Sequence, residues 1–173
     1  AEDPAGPAAQ AGQVTYSPDG TLLAAADGSG TVRIWKASGG AIQTVVTGAA
    51  ATPLTGAVAF SPDSKTLAVI ATGGRVRLWD IAAKSFTTSL AGPGKSPQAV
   101  AYSPNGATLA VADADGQVYL WNLANNQPTS IATPLGPGSG VTGLAFSPDG
   151  TVLAASSDQS ARVYLYHVTY AGT

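Results

Sequence analysis

Hydrophobic and polar positions along this chain fall into short runs, and the same succession of runs occurs four times. In the stretch that shows it most clearly, Ala57-Val58-Ala59-Phe60-Ser61 is an apolar run that stops at Pro62. Proline has no N–H to give to a strand ladder, and Pro-Asp at this place opens a tight turn. Thr66-Leu67-Ala68-Val69-Ile70 is a second β-prone run, ended by Gly73-Gly74. From Arg75 to Ile81 polar and apolar residues alternate with period two, as in a strand with one buried face. Ser85 to Leu90 makes a fourth run. Four short runs joined by tight turns predict an antiparallel meander of four strands. No stretch shows a helical period of 3.6 residues, so the chain reads as all-β.

The turn after the first run sets the period. Tyr16-Ser17-Pro18-Asp19 leads to Trp35, Phe60-Ser61-Pro62-Asp63 to Trp79, and Tyr102-Ser103-Pro104-Asn105 to Trp121, with 17 residues from Pro to Trp each time. Phe146-Ser147-Pro148-Asp149 leads one residue further, to Tyr166. The prolines stand 44, 42 and 44 residues apart. A fixed period of this size marks a repeat architecture in which each unit is one supersecondary element. Such a unit cannot bury its own hydrophobic face and depends on its neighbours. The repeats cover approximately residues 13–48, 56–91, 98–133 and 140–170. The last one offers Val141 to Ser147, Val152 to Ser157 and Ala161 to Val168, and is expected to lack its own fourth strand.

Ser-Pro-Asp-Gly followed by Val-Arg-Ile-Trp (Val32 to Trp35), and Val-Arg-Leu-Trp-Asp (Val76 to Asp80), resemble the WD40-repeat family of β-propellers. The pattern covers residues 14 to 168. The resemblance implies that each repeat is roughly one four-stranded blade around a central axis. It implies that the first strand of each blade lines the channel and that Trp35, Trp79, Trp121 and Tyr166 pack between blades. It also implies a binding platform without catalysis. The departures resemble degenerate bacterial propellers. Where the family has Gly-His before the first strand, this chain has Gly48-Ala49, Gly92-Pro93 and Gly136-Pro137. The family's Asp six residues before the Trp survives only as Asp115, its equivalents being Ser29 and Gly73. The family's buried His-Asp-Ser-Trp hydrogen-bond network therefore cannot form in full, and the blades must rely on apolar packing and backbone pairing. Because the family usually has seven or eight blades, four repeats alone would expose the apolar flanks of the first and last.

Composition narrows the function. Hydrophobic residues make up 45% of the chain and charged ones only 10%, where about 25% is typical. With 8 basic and 10 acidic residues and no basic stripe, electrostatic attraction to nucleic acid has no source. No apolar run approaches 18 residues, so no membrane-spanning helix is expected. There is no cysteine, hence no disulfide and no thiol chemistry. Ala1-Glu2-Asp3-Pro4 would suit a mature N-terminus left after export, or an internal segment of a longer protein. Sparse charge favours an extracellular or periplasmic setting over the cytoplasm.

Candidate chemistry is thin. Asp19, Asp63 and Asp149 follow Ser-Pro, where Asp serves a turn. His167 is the only histidine, with no Cys or second His to join it on a metal. Asp113-Ala114-Asp115-Gly116 lacks the later ligands of a calcium loop and reads as a hairpin turn. No catalytic residue, cofactor or metal is expected. Arg33, Arg77, Tyr119 and Tyr164 form a row two residues before the repeat aromatic, read as a solvated strand face or as an interface row. The loops Gly48 to Gly56, Gly92 to Pro97 and Pro134 to Gly140 are nearly uncharged apart from Lys95. By the resemblance they share one face with Asp27, Asp113, Asp115 and Asp158, which together form the candidate binding surface.

These readings predict a non-enzymatic protein-interaction module that self-associates through open propeller edges. Two copies would close an eight-bladed ring, or many would polymerise. Residues 1–12 are small and Pro-rich, a tail or an arm. As an arm, the segment Ala8 to Gln13, with Ala8, Ala9 and Gln10 at its start, would pair with the last strand of a neighbouring copy around Val163 to Val168, at Val163, Leu165 and His167. The competing functions are a structural subunit of an extracellular filament and the propeller part of a longer sensor protein. A lactonase-like propeller hydrolase lacks ligand-type residues.

Overall fold

A computed structural model describes residues 11–27, 30–39, 42–47, 54–71, 73–91, 96–131, 140–157 and 162–168. Every regular element among them is a strand. The first sheet joins β1 (Ala11–Tyr16), β2 (Leu22–Asp27), β3 (Thr31–Lys36) and β4 (Ile42–Thr47) in chain order. The second joins β5 (Leu54–Phe60), β6 (Thr66–Ala71), β7 (Arg75–Asp80) and β8 (Ser85–Ala91) in the same way. The third holds β9 (Pro97–Tyr102), β10 (Thr108–Asp113), β11 (Val118–Asn122) and β12 (Gln127–Ile131). The fourth has three strands among the described residues: β13 (Val141–Phe146), β14 (Val152–Ser157) and β15 (Val163–His167). All pairings are antiparallel, as short runs joined by tight turns require.

The first strands depart most from the sequence reading. Ala11 pairs with Asp27, so Ala11, Gly12 and Gln13 belong to β1 and are not a free arm. Ala8, Ala9 and Gln10 lie outside the described residues. A register shift falls between Ala11 and Val14 in β1, between Leu54 and Val58 in β5, and between Val141 and Gly143 in β13. A bulge inserts an unpaired residue and breaks the alternation of faces. That is why the run that seems to begin at Ala57 begins as a strand at Leu54.

The Ser-Pro turn repeats almost atom for atom. The Ser17 N–H donates to the Leu22 carbonyl at 2.9 Å, and the Gly20 N–H donates to the Ser17 carbonyl at 2.8 Å. The Ser17 hydroxyl donates to Asp19 Oδ1 at 2.6 Å and accepts from the Leu22 N–H at 2.9 Å. The fourth residue is left-handed in every copy, with φ of 71° at Gly20 and Gly106 and 74° at Gly150. Glycine adopts this region without strain. The second repeat places Ser64 there, at φ 61°. Its hydroxyl accepts the Asp19 N–H at 3.2 Å, a bond between the turns of the first two sheets that glycine could not make.

The chain divides into two compact units, Ala1–Ala91 and Gly92–Thr173. In the first, one face of sheet β1–β4, carrying Ala24, Val32 and Ile34, packs on Val58, Leu67 and Trp79 of sheet β5–β8. The Gln13 side-chain carbonyl also accepts the Val58 N–H at 3.1 Å across these sheets. In the second unit, Ala110, Ala112 and Val118 of sheet β9–β12 pack on Leu153, Ala155 and Tyr166 of sheet β13–β15. Each core sets alanines and branched aliphatic residues of one sheet against a face of the other that carries an aromatic, Trp79 or Tyr166.

Candidate functional site

The hairpins between second and third strands carry the aspartates that the sequence assigned to a surface. Asp27 ends β2, where its Oδ1 accepts the Thr31 N–H at 3.2 Å and its Oδ2 forms an ion pair with Arg33. Asp27 is 6% exposed and Arg33 13%, so the pair is largely desolvated. Asp113 is 2% exposed. Its Oδ1 accepts the N–H groups of Asp115 and Gln117 at 3.0 and 2.9 Å. These two carboxylates therefore build turns and are not presented to a partner, a correction to the surface reading. Their position at the end of a strand, facing orphan N–H groups, is what draws them inward. Asp115 is exposed. Asp158 and Lys95 lie outside the described residues, as does most of the three uncharged loops.

The row before the repeat aromatic, Arg33, Arg77, Tyr119 and Tyr164, is half-buried. In a strand, residues two apart share a face, so this row must lie beside the tryptophans. Arg33 pairs with Asp27. The Arg77 guanidinium sits 3.5 Å over the Phe86 ring, and Phe86 meets Trp79 edge-to-face at 4.9 Å and 79°. Burial raises the Tyr119 hydroxyl above its usual pKa, with Asp113 and Asp115 adding to the shift. Tyr164 packs against the core of the second unit.

Trp79, Trp121 and Tyr166 are buried and Trp35 is half-buried, but no described residue accepts a hydrogen bond from the indole N–H of Trp35, Trp79 or Trp121. The same holds for the Tyr166 hydroxyl.

The Ser-Pro carboxylates are engaged in turns. Asp149 Oδ1 accepts from the Ser147 hydroxyl at 2.5 Å and from the Thr151 N–H at 3.0 Å. These bonds, the Ser147 one foremost, hold Asp149 down at about 2 from a usual 3.8. Asp19 and Asp63 are lowered in the same way, by Ser17 and Ser61 first. A carboxylate lowered in the folded state stabilises above its unfolded pKa and loses that contribution as pH falls through the folded one. The melting temperature should therefore decline between about pH 4 and pH 2. Asn105 makes the same turn uncharged, accepting from Ser103 Oγ at 2.7 Å and from the Ala107 N–H at 3.0 Å. Asp149→Asn should keep the neutral-pH melting temperature and flatten part of the acid decline. An unchanged acid profile would show that this turn does not contribute.

Sequence reasoning expected exposed apolar flanks on the first and last repeats but did not name the residues that form them. The exposed large hydrophobics among the described residues are Val14, Tyr16, Val45, Val163 and Leu165. By register Val14, Tyr16 and Val45 share a face of the first sheet with Leu23, Arg33 and Trp35. Val163 and Leu165 share a face of the last sheet with Ala154 and the exposed His167. The signal was present in the repeat alignment, because both faces keep the residue types that are buried in the other repeats. Among the described residues, no group of three His, Cys, Asp or Glu side chains is placed to hold a metal ion, and no helix is long and apolar enough to cross a membrane.

Fold and surface together define an all-β repeat protein of small antiparallel sheets with apolar end faces. The chain belongs to DUF7165, a domain of unknown function, whose family model matches residues 3–171. No curated protein matches it.

Proposed function

We propose that this chain is a non-enzymatic protein-interaction module, built of WD40-like propeller blades, that self-associates through its two terminal sheets. The observation that carries the reading is that its exposed large hydrophobics, among the described residues, fall in the first and last sheets. Apolar side chains gathered on one face mark an interaction site, because leaving them in water forgoes the free energy of burial. The blade assignment is supported by sheets that run in chain order and pack through their first strands, β5 on β1 and β13 on β9. The non-enzymatic reading is supported by carboxylates that are tied into turns. An extracellular or periplasmic setting rests on the sparse charge alone.

Light scattering over a concentration series tests the reading. A mass of two or more times 17.0 kDa at micromolar protein is expected. A single-chain mass at every concentration would overturn it.

A further inference from the structure

Each exposed end face is half of a pairing that the chain makes twice within itself. In the first unit, Ala24, Val32 and Ile34 of the first repeat press on Val58, Phe60, Leu67 and Trp79 of the second. In the second unit, Ala110, Val118 and Leu120 of the third repeat press on Leu144, Phe146, Leu153 and Tyr166 of the fourth. The positions correspond one to one, counted from the Ser-Pro turn and from the repeat aromatic. In each of these two pairings the earlier repeat thus offers a forward face, which covers the next sheet, and the later one a backward face, which receives it.

The fourth repeat keeps an intact forward face. Ala154, Val163 and Leu165 stand where Ala24, Val32 and Ile34 stand in the first, and cross-strand pairing puts them on one side of the sheet. The first repeat keeps an intact backward face. Val14, Tyr16, Leu23 and Trp35 stand where Val58, Phe60, Leu67 and Trp79 stand in the second. Only burial differs. Val163 and Leu165 are 65% and 70% exposed, against 0% and 2% for Val32 and Ile34. Val14 and Tyr16 are 54% and 63% exposed, against 1% and 7% for Val58 and Phe60.

We infer that the forward face of the fourth repeat docks on the backward face of the first repeat in a second copy of this chain. The inference rests on the self-associating reading above and specifies its geometry. A second copy is the occupant that fits, because it brings the matching half of an established interface to each end. The contact is face to face and excludes water from Leu165 and Tyr16. Strand addition at the edge of β15 would instead leave both faces wet. It is also heterologous: the two surfaces differ, so each copy offers one and receives the other. Two copies that close satisfy both ends, and copies that do not close grow in line.

Sedimentation velocity on the full chain tests this, with far-UV circular dichroism as the check on folding. A carboxylate buried in an apolar contact without a partner costs several kcal/mol. Leu165→Glu and Tyr16→Glu should each weaken self-association by about a hundredfold or more and leave the strand spectrum intact. Mixed, the two variants should associate one to one and more tightly than either does with itself, through the single contact in which one intact forward face meets one intact backward face. Wild-type association by both folded variants would overturn the inference and leave the broader reading standing, with association through strand edges. A mixture that stays dissociated would overturn it too, because a symmetric contact cannot be complemented. A wild-type chain that is a single copy at all concentrations would remove both. Should either variant fail to fold, Ala154→Glu and Val14→Lys pose the same question on the same two faces.

Discussion

Replacing Trp79 by alanine should destabilise the chain by about 3–5 kcal/mol, and replacing it by phenylalanine by much less, about 1–2 kcal/mol. Trp79 is 9% exposed and lies in the core between the first two sheets. It meets Phe86 edge-to-face at 4.9 Å, and Arg77 covers the other partner of that pair. Alanine leaves a cavity bounded by two rigid sheets that cannot collapse into it. Phenylalanine keeps an apolar plate in the same place. It also removes an indole N–H for which no described residue is an acceptor, so no hydrogen bond is lost with it. Urea unfolding of the three proteins measures the difference. Equal losses for the two variants would mean that the indole N–H is bonded after all.

Ile34→Ala should cost about 2–5 kcal/mol, while Leu165→Ala, at the same repeat position, should change the stability of the dissociated chain by about 0.5 kcal/mol or less. Ile34 is 2% exposed against the second sheet, and Leu165 is 70% exposed. The two side chains are near isomers on equivalent strands, so the contrast isolates burial from strand propensity. Denaturation at low protein concentration gives the dissociated value. Raising the concentration should bring out a stabilisation of the wild type that Leu165→Ala lacks, because binding to the folded state adds to its stability. A large loss for Leu165→Ala in the dilute limit would show that something within the chain covers this residue.

Much of the fold was legible because β-structure writes itself locally. Alternation from Arg75 to Ile81 marked β7, and the Ser-Pro turns marked each first hairpin, since proline and a bonded Asp or Asn admit few backbone conformations. The bulges in β1, β5 and β13 were not legible. Small residues such as Gly12, Gly56 and Gly143 surround them, and a bulge erases the alternation by which a strand is recognised. Asp27 and Asp113 were misplaced for a related reason. A charged residue beside a hairpin reads as exposed, and only the unsatisfied N–H groups of the turn show why it is buried.

The end faces mark the division most clearly. The sequence by itself determined the strand composition, the fourfold period and the kind of residue at each repeat position, because these depend on neighbours a few residues away. It could not determine which of those residues are covered. Ile34 and Leu165 carry the same chemistry on equivalent strands, and one is buried and the other exposed. Burial depends on whether a second sheet stands opposite, and that sheet belongs to another repeat. Tertiary structure alone decided which residues of the first and last repeats form an apolar face with nothing described against it, because a hydrophobic surface contributes stability only when a partner displaces its water.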